Sequence, residues 1–314
     1  MTRFLLRRTG LAVFQLFVIG TLVFLLVRLI PGDPARAALG ETADAEQLAH
    51  ARALMRLNEP VAEQYAGFWA RLLHGDLGTS LISGRAVLAD LPIRLGNTLE
   101  LVLLALAVAL AAGIPLGRAA ALRAGRRTDH AVTGGSILGL SAPVFVIATL
   151  LLLLFSVYWP VLPQQRYVTL WDDPLAHLRL LVLPVLTLAI GATAVITRMT
   201  RAAMLETASA DFVRTARATG IAERLVVRRH ILRNSLVPVV NAAGVELATL
   251  IGGTVLVETV FGWPGLSSYL INAVSTRDYP VIQAVVLAAA VLVIAVNLAA
   301  DVAGRLIDPR AEAV

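Results

Sequence analysis

The sequence predicts an all-α integral membrane protein with six transmembrane helices. Of its 314 residues, 58% are hydrophobic and 15% are charged, and the mean hydropathy is +0.77. Soluble domains typically carry about 25% charged residues. Six apolar runs also approach or exceed the ~20 residues with which a helix crosses the hydrocarbon core of a bilayer. These runs lie at 9–30, 98–117, 134–157, 180–200, 237–259 and 281–300.

Two residue types are missing, and their absence excludes several kinds of chemistry. The chain has no cysteine, so disulfides and thiolate metal sites are excluded. All 27 basic residues are arginine, so the lysine that a nucleotide-binding P-loop requires is absent. The five histidines show no metal-ligand spacing. We therefore expect a protein that is not an enzyme and has no catalytic residue, cofactor or metal of its own.

The first apolar run is predicted to be a retained membrane anchor. The basic segment MTRFLLRR before it is typical of a signal peptide. However, the apolar run from Leu11 to Ile30 is longer than a signal peptide needs, and no clear cleavage site follows it.

The positions of the arginines predict how the chain is oriented. With the N-terminus inside, the inner segments 1–8, 118–130, 198–236 and 301–314 hold 17 arginines and 7 acidic residues. Short cytoplasmic loops retain positive charge, so both termini are predicted to be cytoplasmic. The pI of about 10.6 then reflects topology and contact with the lipid bilayer, and it gives no reason to expect nucleic acid.

Two segments are predicted to leave the membrane on its outer side. Residues 31–97 form a small helical excursion, with a helix that starts at Pro60. Residues 159–180 carry prolines and aromatic rings, which suit either an interfacial aromatic belt or a substrate contact. One face of the helix in the first segment is apolar, and it carries Val61, Tyr65, Phe68 and Leu72.

The longest predicted cytoplasmic loop, residues 201–236, is both basic and helical in pattern. It contains DFVRTARATGIAERLVVRRHILRN, in which two helical stretches flank Gly220. A glycine suits a chain reversal with positive φ, so we expect two short helices joined there. Composition alone fits an element lying on anionic lipid as well as one that docks a protein.

Several motifs in order resemble the permeases of binding-protein-dependent ABC importers, in the oligopeptide, dipeptide and nickel subfamily. VRTARATG followed by RRHILRNSLVPVV is similar to the EAA loop of that family. The resemblance covers essentially the whole chain. Its other motifs are LVRLIPGDPA, HGDLGTSLISGRAV, TLELVLLA, SAPVFVIATLLLLLFS, LIGGTVLVETVFGWPGLSSYL, RDYPVIQA and DVAGRLIDPR.

The resemblance implies that residues 201–236 couple the membrane spans to a cytoplasmic ATPase. Thr215 and Ala216 match the second and third positions of the EAA triplet, and Gly220 matches its glycine. Arg214 departs from the usual glutamate, and Arg233 stands where a proline is usual. The implied coupling residues are Arg214, Thr215, Ala216, Arg217, Gly220 and Arg224, with Ala216 and Gly220 permitting close docking and Arg217 and Arg224 making polar contacts.

The family also implies partners and a location. Chain 1–314 would be one permease domain in the bacterial inner membrane, acting with a second homologous permease, two ABC ATPase domains that bind ATP and Mg²⁺, and an extracytoplasmic binding protein. Its cargo would be di- or oligopeptides, with nickel or a nickel chelate as the alternative. The spans would alternate in access between the two sides.

Three polar residues of the fifth span region are candidates for the translocation pathway: Asn241, Glu246 and Glu258. An intramembrane carboxylate indicates function because it is costly in hydrocarbon. Glu246 could instead be neutral or hydrogen-bonded at a helix interface, and Glu258 could belong to a packed outer turn with FGWPGL. An ion-coupled secondary transporter would be expected to carry paired intramembrane charges, and an intramembrane enzyme a nucleophile with its base. Both rival classes leave the ordered motifs unexplained.

Overall fold

The structure is a computed structural model that describes residues 2–29, 35–36, 40, 43–162 and 166–307. Over these residues it is almost entirely helical, and the described part contains one isolated β-bridge, Thr79 to Ala86. The chain divides into two compact units. The first comprises Met1–Thr98 and Pro264–Ile294, and the second comprises Leu99–Trp263 and Ala295–Val314.

The α-helices are numbered along the described residues. Their bounds are α1 Thr2–Leu29, α2 Ala45–Leu54, α3 Val61–Leu73, α4 Val87–Leu122, α5 Arg127–Ser141, α6 Val144–Leu152, α7 Pro174–Ala208, α8 Asp211–Ala218, α9 Arg233–Phe261, α10 Leu266–Ser275 and α11 Tyr279–Ile307. A π-helical segment, Leu153–Tyr158, extends α6. A short helix, Glu223–Leu225, and a second π-helical segment, Val226–Leu232, lead into α9.

Within the described residues, five helical stretches are long and apolar enough to cross a membrane. Each overlaps one predicted span, namely the first, second, fourth, fifth or sixth. Their bounds are Leu6–Leu26, Val87–Leu122, Pro174–Ala208, Glu223–Phe261 and Tyr279–Val302. Ile30, the last residue of the first predicted span, lies outside the described residues, as do the termini of the chain.

The third predicted span, 134–157, is not one continuous helix. It consists of α5 and α6, which meet at a bend of 98°. The bend lies at Pro143, which has no N–H to donate to the preceding turn. The residue before it, Ala142, has φ −80° and ψ 122°, the extended conformation that a following proline favours.

The second unit is built around α7, the most buried of the candidate spans. Its start is set by Asp173, whose side chain accepts hydrogen bonds from the N–H groups of Leu175 and Ala176 at 3.0 Å each. Glycine allows α4 to pack directly on it. A Cβ atom on Gly117 would lie 2.5 Å from the carbonyl oxygen of Thr197, so no larger residue fits at this crossing.

In the first unit, α3 packs its aromatic face against α1. The rings of Phe24 and Tyr65 have centroids 5.1 Å apart, and those of Phe24 and Phe68 are 5.5 Å apart. The start of α3 after Pro60 agrees with the sequence prediction. Val61 does not belong to the packed face, because it is 59% exposed. The first residue of the helix projects beyond the surface that its neighbours cover.

Polar contacts over long sequence separations fix the rest of the first unit. The hydroxyl of Ser80 donates to the carboxylate of Asp278 at 2.5 Å, and both residues are buried. The amide of Asn97 donates to the carbonyl of Pro264 at 2.9 Å. These contacts hold the segment before α4 against the chain that flanks α10.

Candidate functional site

The loop between α7 and α9 contains a two-helix element that reverses direction at Gly220. Gly220 has φ +79°, and its N–H donates to the carbonyl of Arg217 at 3.0 Å. The N–H of Ile221 donates to the carbonyl of Ala216 at 3.3 Å. These two bonds form a Schellman motif, which closes the C-terminus of α8 and requires a left-handed residue at the position of Gly220. The short helix predicted before this glycine is present as α8, whereas the one predicted after it is the beginning of a continuous helical stretch, Glu223–Phe261, that includes α9.

An apolar cluster fixes the loop to the base of α7. Met204 of α7 packs with residues of α8 and of the π-helical segment, and Ile221 covers the cluster from the turn. The buried members are Met204, Val213, Ala216, Val226, Val227 and Ile231. The cluster therefore packs both helical parts of the loop directly against one span.

The residues predicted to couple an ATPase divide between two faces of this loop. Arg214, Thr215, Gly220 and Arg224 are exposed. Ala216 is only 7% exposed, and it lies inside the cluster. The predicted docking role of Ala216 is therefore corrected, because its small side chain makes room for packing within the chain. At Gly220, open space surrounds the position of a Cβ atom, so the glycine is needed for its φ angle.

Arg217 bridges the turn. Its Nε and Nη2 atoms donate to the two carboxylate oxygens of Glu223 at 3.1 and 2.8 Å. This hydrogen bonding raises the pKa of the Arg217 guanidinium above its usual value. Arg217, predicted to contact a partner, is thus engaged within its own loop. Arg214 makes a looser ion pair with Asp211 at 3.2 Å, with both side chains exposed.

Two further contacts brace the base of α7, and sequence reasoning missed both. Arg201 donates from Nε and Nη2 to the carboxylate of Asp129 at 2.6 and 2.8 Å, and Asp129 is buried. The buried hydroxyl oxygen of Ser235 lies within hydrogen-bonding distance of the carbonyl oxygens of Ile231 and Ala203, at 2.8 and 3.1 Å, and its one proton is donated to this pair of acceptors. For the first contact, the sequence does offer a signal, because Asp129 is an acidic residue inside an arginine-rich segment.

At the other end of α7, His177 is the centre of a buried polar contact that was also missed. Its Nδ1 lies 2.8 Å from the carbonyl oxygen of Val168, and its Nε2 lies 2.9 Å from Oε1 of Glu100. A carbonyl only accepts, so Nδ1 carries the proton of the first bond. The rings of Tyr167 and Trp263 pack against the imidazole. This histidine ties the segment before α7 to α4.

The three pathway candidates do not form one site. Asn241 is exposed, Glu246 is half-buried and Glu258 is completely buried. With a rise of about 1.5 Å per residue, Glu246 and Glu258 lie about 18 Å apart along α9. The burial of Glu258 agrees with a packed turn, at which Gly262 has φ +64°. Over the described residues, no cluster of three histidine or acidic side chains could hold a metal ion.

Candidate spans of this length, together with a helical loop that packs on the most buried of them, define a multi-pass helical membrane protein. The chain belongs to the family of binding-protein-dependent transport system inner membrane components, which it matches over residues 113–313. Residues 1–88 match the N-terminal domain of the same membrane component. The protein is therefore an ABC permease, and it lies in the bacterial inner membrane as a multi-pass protein.

Curated relatives match nearly the whole chain. It is 37% identical to the dipeptide transport system permease protein DppB of Escherichia coli K12, with 99% of this chain and 98% of that protein covered. It is 40% identical to the di/tripeptide transport system permease protein DppB of Pseudomonas aeruginosa UCBPP-PA14, with the same coverage. Identity to the probable peptide ABC transporter permease protein y4tP of Sinorhizobium fredii is 38%, over 98% of each chain.

Solved structures support the same fold. An inward-facing structure of the MetNI methionine ABC transporter matches with a TM-score of 0.54 and 21% identity, over 70% of this chain and 97% of that one. An amino acid ABC transporter solved with histidines matches with a TM-score of 0.52 and 16% identity, over 70% and 93%. At these identities the likeness concerns the fold alone.

Proposed function

We propose that this permease forms half of the translocation pathway of an importer for di- or oligopeptides. The observation that carries the substrate class is the identity of 37 to 40% to permeases named for peptides, over nearly the full length of both chains. A binding protein on the outer side delivers the peptide, and a second permease completes the pathway. Two cytoplasmic ATPases bind ATP and Mg²⁺ and supply the energy.

The loop 201–236 transmits ATPase motion to the membrane spans. This proposal rests on the apolar cluster that joins α8 and the π-helical segment to Met204 at the base of α7. A force on the exposed face of the loop acts on α7 through this cluster. Phe212 and Leu225 are 47% and 48% exposed there, and they supply apolar contacts of the kind found in protein interfaces.

Isolation of the tagged chain from native membranes tests the assembly. Mass spectrometry should recover a second permease, ATPase subunits and an extracytoplasmic binding protein in stoichiometric amounts. In proteoliposomes, the recovered complex should accumulate labelled dipeptide only with ATP and binding protein. Recovery of the chain alone, under conditions that preserve other such complexes, would contradict the proposal. Accumulation of nickel instead of peptide would contradict the substrate class.

Crosslinking tests the loop itself, because the chain has no native cysteine. Thr215→Cys places a thiol on the exposed face, and Ala216→Cys places one inside the cluster as the matched control. A short bifunctional maleimide should join the first variant to an ATPase subunit that carries a cysteine in its docking cleft. Equal crosslinking of the two variants, or none from Thr215→Cys, would contradict the docking surface.

A further inference from the structure

The second unit carries an open groove of about 370 Å³ that the proposed function does not use. The groove lies between α5 and α7, and Leu116 of α4 borders it. On α5 it is lined by Ala131, Gly135 and Gly139, which are spaced four residues apart and therefore lie on one face of the helix. The lining residues of α7 lie within 190–197.

The surface of the groove is apolar and leaves room for a ligand. The hydroxyl of Ser136, one of the lining residues, donates to the carbonyl of Val132 at 2.9 Å and is therefore satisfied within the helix. A Cβ atom on Gly135 would meet no heavy atom within 4 Å beyond the backbone of its own helix, so this part of the groove is open. Leu116 and Ile190 at its borders are exposed. Within a bilayer, lipid tails or another helix cover such a surface.

The length of the groove favours a lipid tail over a helix. From Ala131 to Gly139 the groove extends about 12 Å, at a rise of about 1.5 Å per residue. One leaflet contributes about 15 Å, half of the ~30 Å hydrocarbon core. Shortly after Gly139 the chain bends by 98° between α5 and α6. The groove thus matches one acyl chain of one leaflet, whereas the transmembrane helix of a partner would extend well beyond it.

A basic turn between α4 and α5 lies at one end of the groove. Arg127 precedes Ala131 by four residues, so it continues the groove face of α5 toward the start of the helix. Arg123 and Arg126 belong to the same turn, and all three arginines are exposed. In the predicted topology this turn faces the cytoplasm, so its guanidinium groups lie at the level of the lipid headgroups.

Asp129 does not offer a partner to a cationic headgroup. It is the one acidic residue of the segment 123–130, and its carboxylate oxygens accept hydrogen bonds from Arg201 at 2.6 and 2.8 Å. The N–H of Gly125 donates to the same carboxylate at 2.9 Å and holds the turn in place. The turn therefore has an excess of positive charge, which suits a headgroup with a net negative charge better than a zwitterionic one.

We propose that an anionic phospholipid of the inner leaflet occupies this groove, with one acyl chain along α5 and its phosphate at Arg127. A guanidinium keeps its charge and matches the geometry of a phosphate. Anionic lipids also attract basic segments at the cytoplasmic surface of a membrane. The site is independent of the solute that the permease transports, so it goes beyond the proposed function.

Native mass spectrometry of the purified protein with its bound subunits tests this proposal. The preparation is delipidated in mild detergent and titrated with palmitoyl-oleoyl phosphatidylglycerol, or with phosphatidylcholine that carries the same acyl chains. We expect the tightest phosphatidylglycerol to bind about tenfold more strongly than phosphatidylcholine, because only the anionic lipid has a net charge opposite to that of the turn. Equal affinities for the two lipids would overturn the assignment to an anionic lipid.

A pair of adjacent glycines locates the acyl chain. Gly135→Leu places a side chain in the groove and should weaken the binding of both lipids about tenfold or more. Gly134→Leu is the matched control, because a Cβ atom there also meets open space but the residue does not line the groove. Both substitutions replace glycine by leucine in the same helix, so their effects on helix propensity are alike. Equal binding by the two variants would contradict the position of the chain.

A substitution at the turn locates the headgroup. Arg127→Gln should weaken phosphatidylglycerol binding about tenfold and leave phosphatidylcholine binding nearly unchanged, because it removes a charged hydrogen bond to the phosphate and the excess charge beside it. Arg179→Gln is the control, since this exposed arginine lies near the start of α7, far along that helix from the groove lining. If both arginine variants weakened binding equally, the headgroup would not be bound at Arg127.

The remaining outcomes separate this site from other occupants and from the importer function. Unchanged phosphatidylglycerol binding in both Gly135→Leu and Arg127→Gln would show that the lipid binds elsewhere. Loss of the second permease from Gly135→Leu, with lipid binding unchanged, would show that a helix of that subunit fills the groove. ATP-dependent dipeptide uptake by wild type is measured separately. Normal uptake without selective lipid binding would refute this site alone, whereas absence of uptake contradicts the importer function.

Discussion

The two segments that leave the predicted membrane region are stabilised in different ways. The loop 201–236 is held largely by an apolar cluster whose buried members, among them Met204, Val213 and Ile231, all lie within the loop segment itself. The segment before α4 is held by Ser80 and Asp278, which are 198 residues apart. A loop built from local contacts keeps its own shape when its supporting span moves. A segment held by distant contacts depends on the rest of its unit.

This difference suits the coupling task proposed for the loop. A coupling element must pass on a displacement without deforming, and the cluster around Met204 gives it that rigidity. The outer segment contributes α3 to a cavity that Arg71 and Tyr279 both line, because distant parts of the chain pack together. The comparison predicts that substitutions in the loop affect coupling, and substitutions in the outer segment affect the stability of its unit.

The largest effect is expected from Gly220→Val. Valine at φ +79° is strained, and a left-handed conformation costs an ordinary residue about 1–2 kcal/mol. We expect dipeptide uptake in proteoliposomes to fall roughly tenfold or more while ATP hydrolysis and membrane insertion continue. Gly220→Asn is the control, because asparagine tolerates this conformation and should retain most uptake. Normal uptake by the valine variant would refute the coupling role.

Ser80→Ala tests the outer segment. It removes a buried hydrogen bond to the Asp278 carboxylate, which should lower the free energy of unfolding by about 1.5–3 kcal/mol. Thermal unfolding of the detergent-solubilised complex measures the change. Ser83→Ala, at an exposed position nearby, should melt like wild type. Equal melting of the two variants would show that this long-range contact does not stabilise the unit.

Ala216→Leu tests the buried face of the loop. The larger side chain overpacks the apolar cluster, and we expect a loss of about 1–3 kcal/mol in stability. Uptake should also decline, as the loop is displaced from α7. Ala218→Leu introduces the same side chain two residues along at an exposed position, and it should be neutral in thermal unfolding. If Ala218→Leu lowered the stability more than Ala216→Leu, the assignment of the buried face of α8 would be wrong.

The smallest effect is expected from Arg217→Gln. The bridge from Arg217 to Glu223 lies at the surface, with side chains 43% and 60% exposed. Exposed ion pairs contribute about 0.2–1 kcal/mol, so the melting temperature should change little. Uptake should remain near that of wild type. A severe loss of uptake with unchanged stability would instead restore the predicted direct contact between Arg217 and a partner.

The sequence allowed prediction of the features that depend on nearby residues. The lengths of the apolar runs predicted five of the six spans at positions where the described residues form long apolar helices. The Schellman turn at Gly220 was foreseeable because a glycine between two helical patterns is a local signal. The exposed face of α8 was harder to predict, because one sequence does not tell which side of a short helix packs against its own chain. For this reason Ala216 was predicted to lie on the docking face, whereas it is buried in the apolar cluster.

Contacts between distant residues could not be predicted in the same way. Asp129 and Arg201 are 72 residues apart, and His177 and Glu100 are 77 apart. Each pair forms only after helices have packed, and no spacing rule connects its members. Pro143 is visible in the sequence, but a mean hydropathy taken over a window of residues does not show that the helix changes direction there.

The bend between α5 and α6 has a consequence for how this permease is solvated. Each limb, 127–141 and 144–158, contains 15 residues, and at about 1.5 Å per residue it extends about 22 Å, less than the ~30 Å of hydrocarbon. Whether the pair crosses the membrane or re-enters it, the corner at Ala142 leaves backbone groups without helical partners. Lipid tails offer these groups no hydrogen bonds, so protein or water must supply their partners wherever the corner lies.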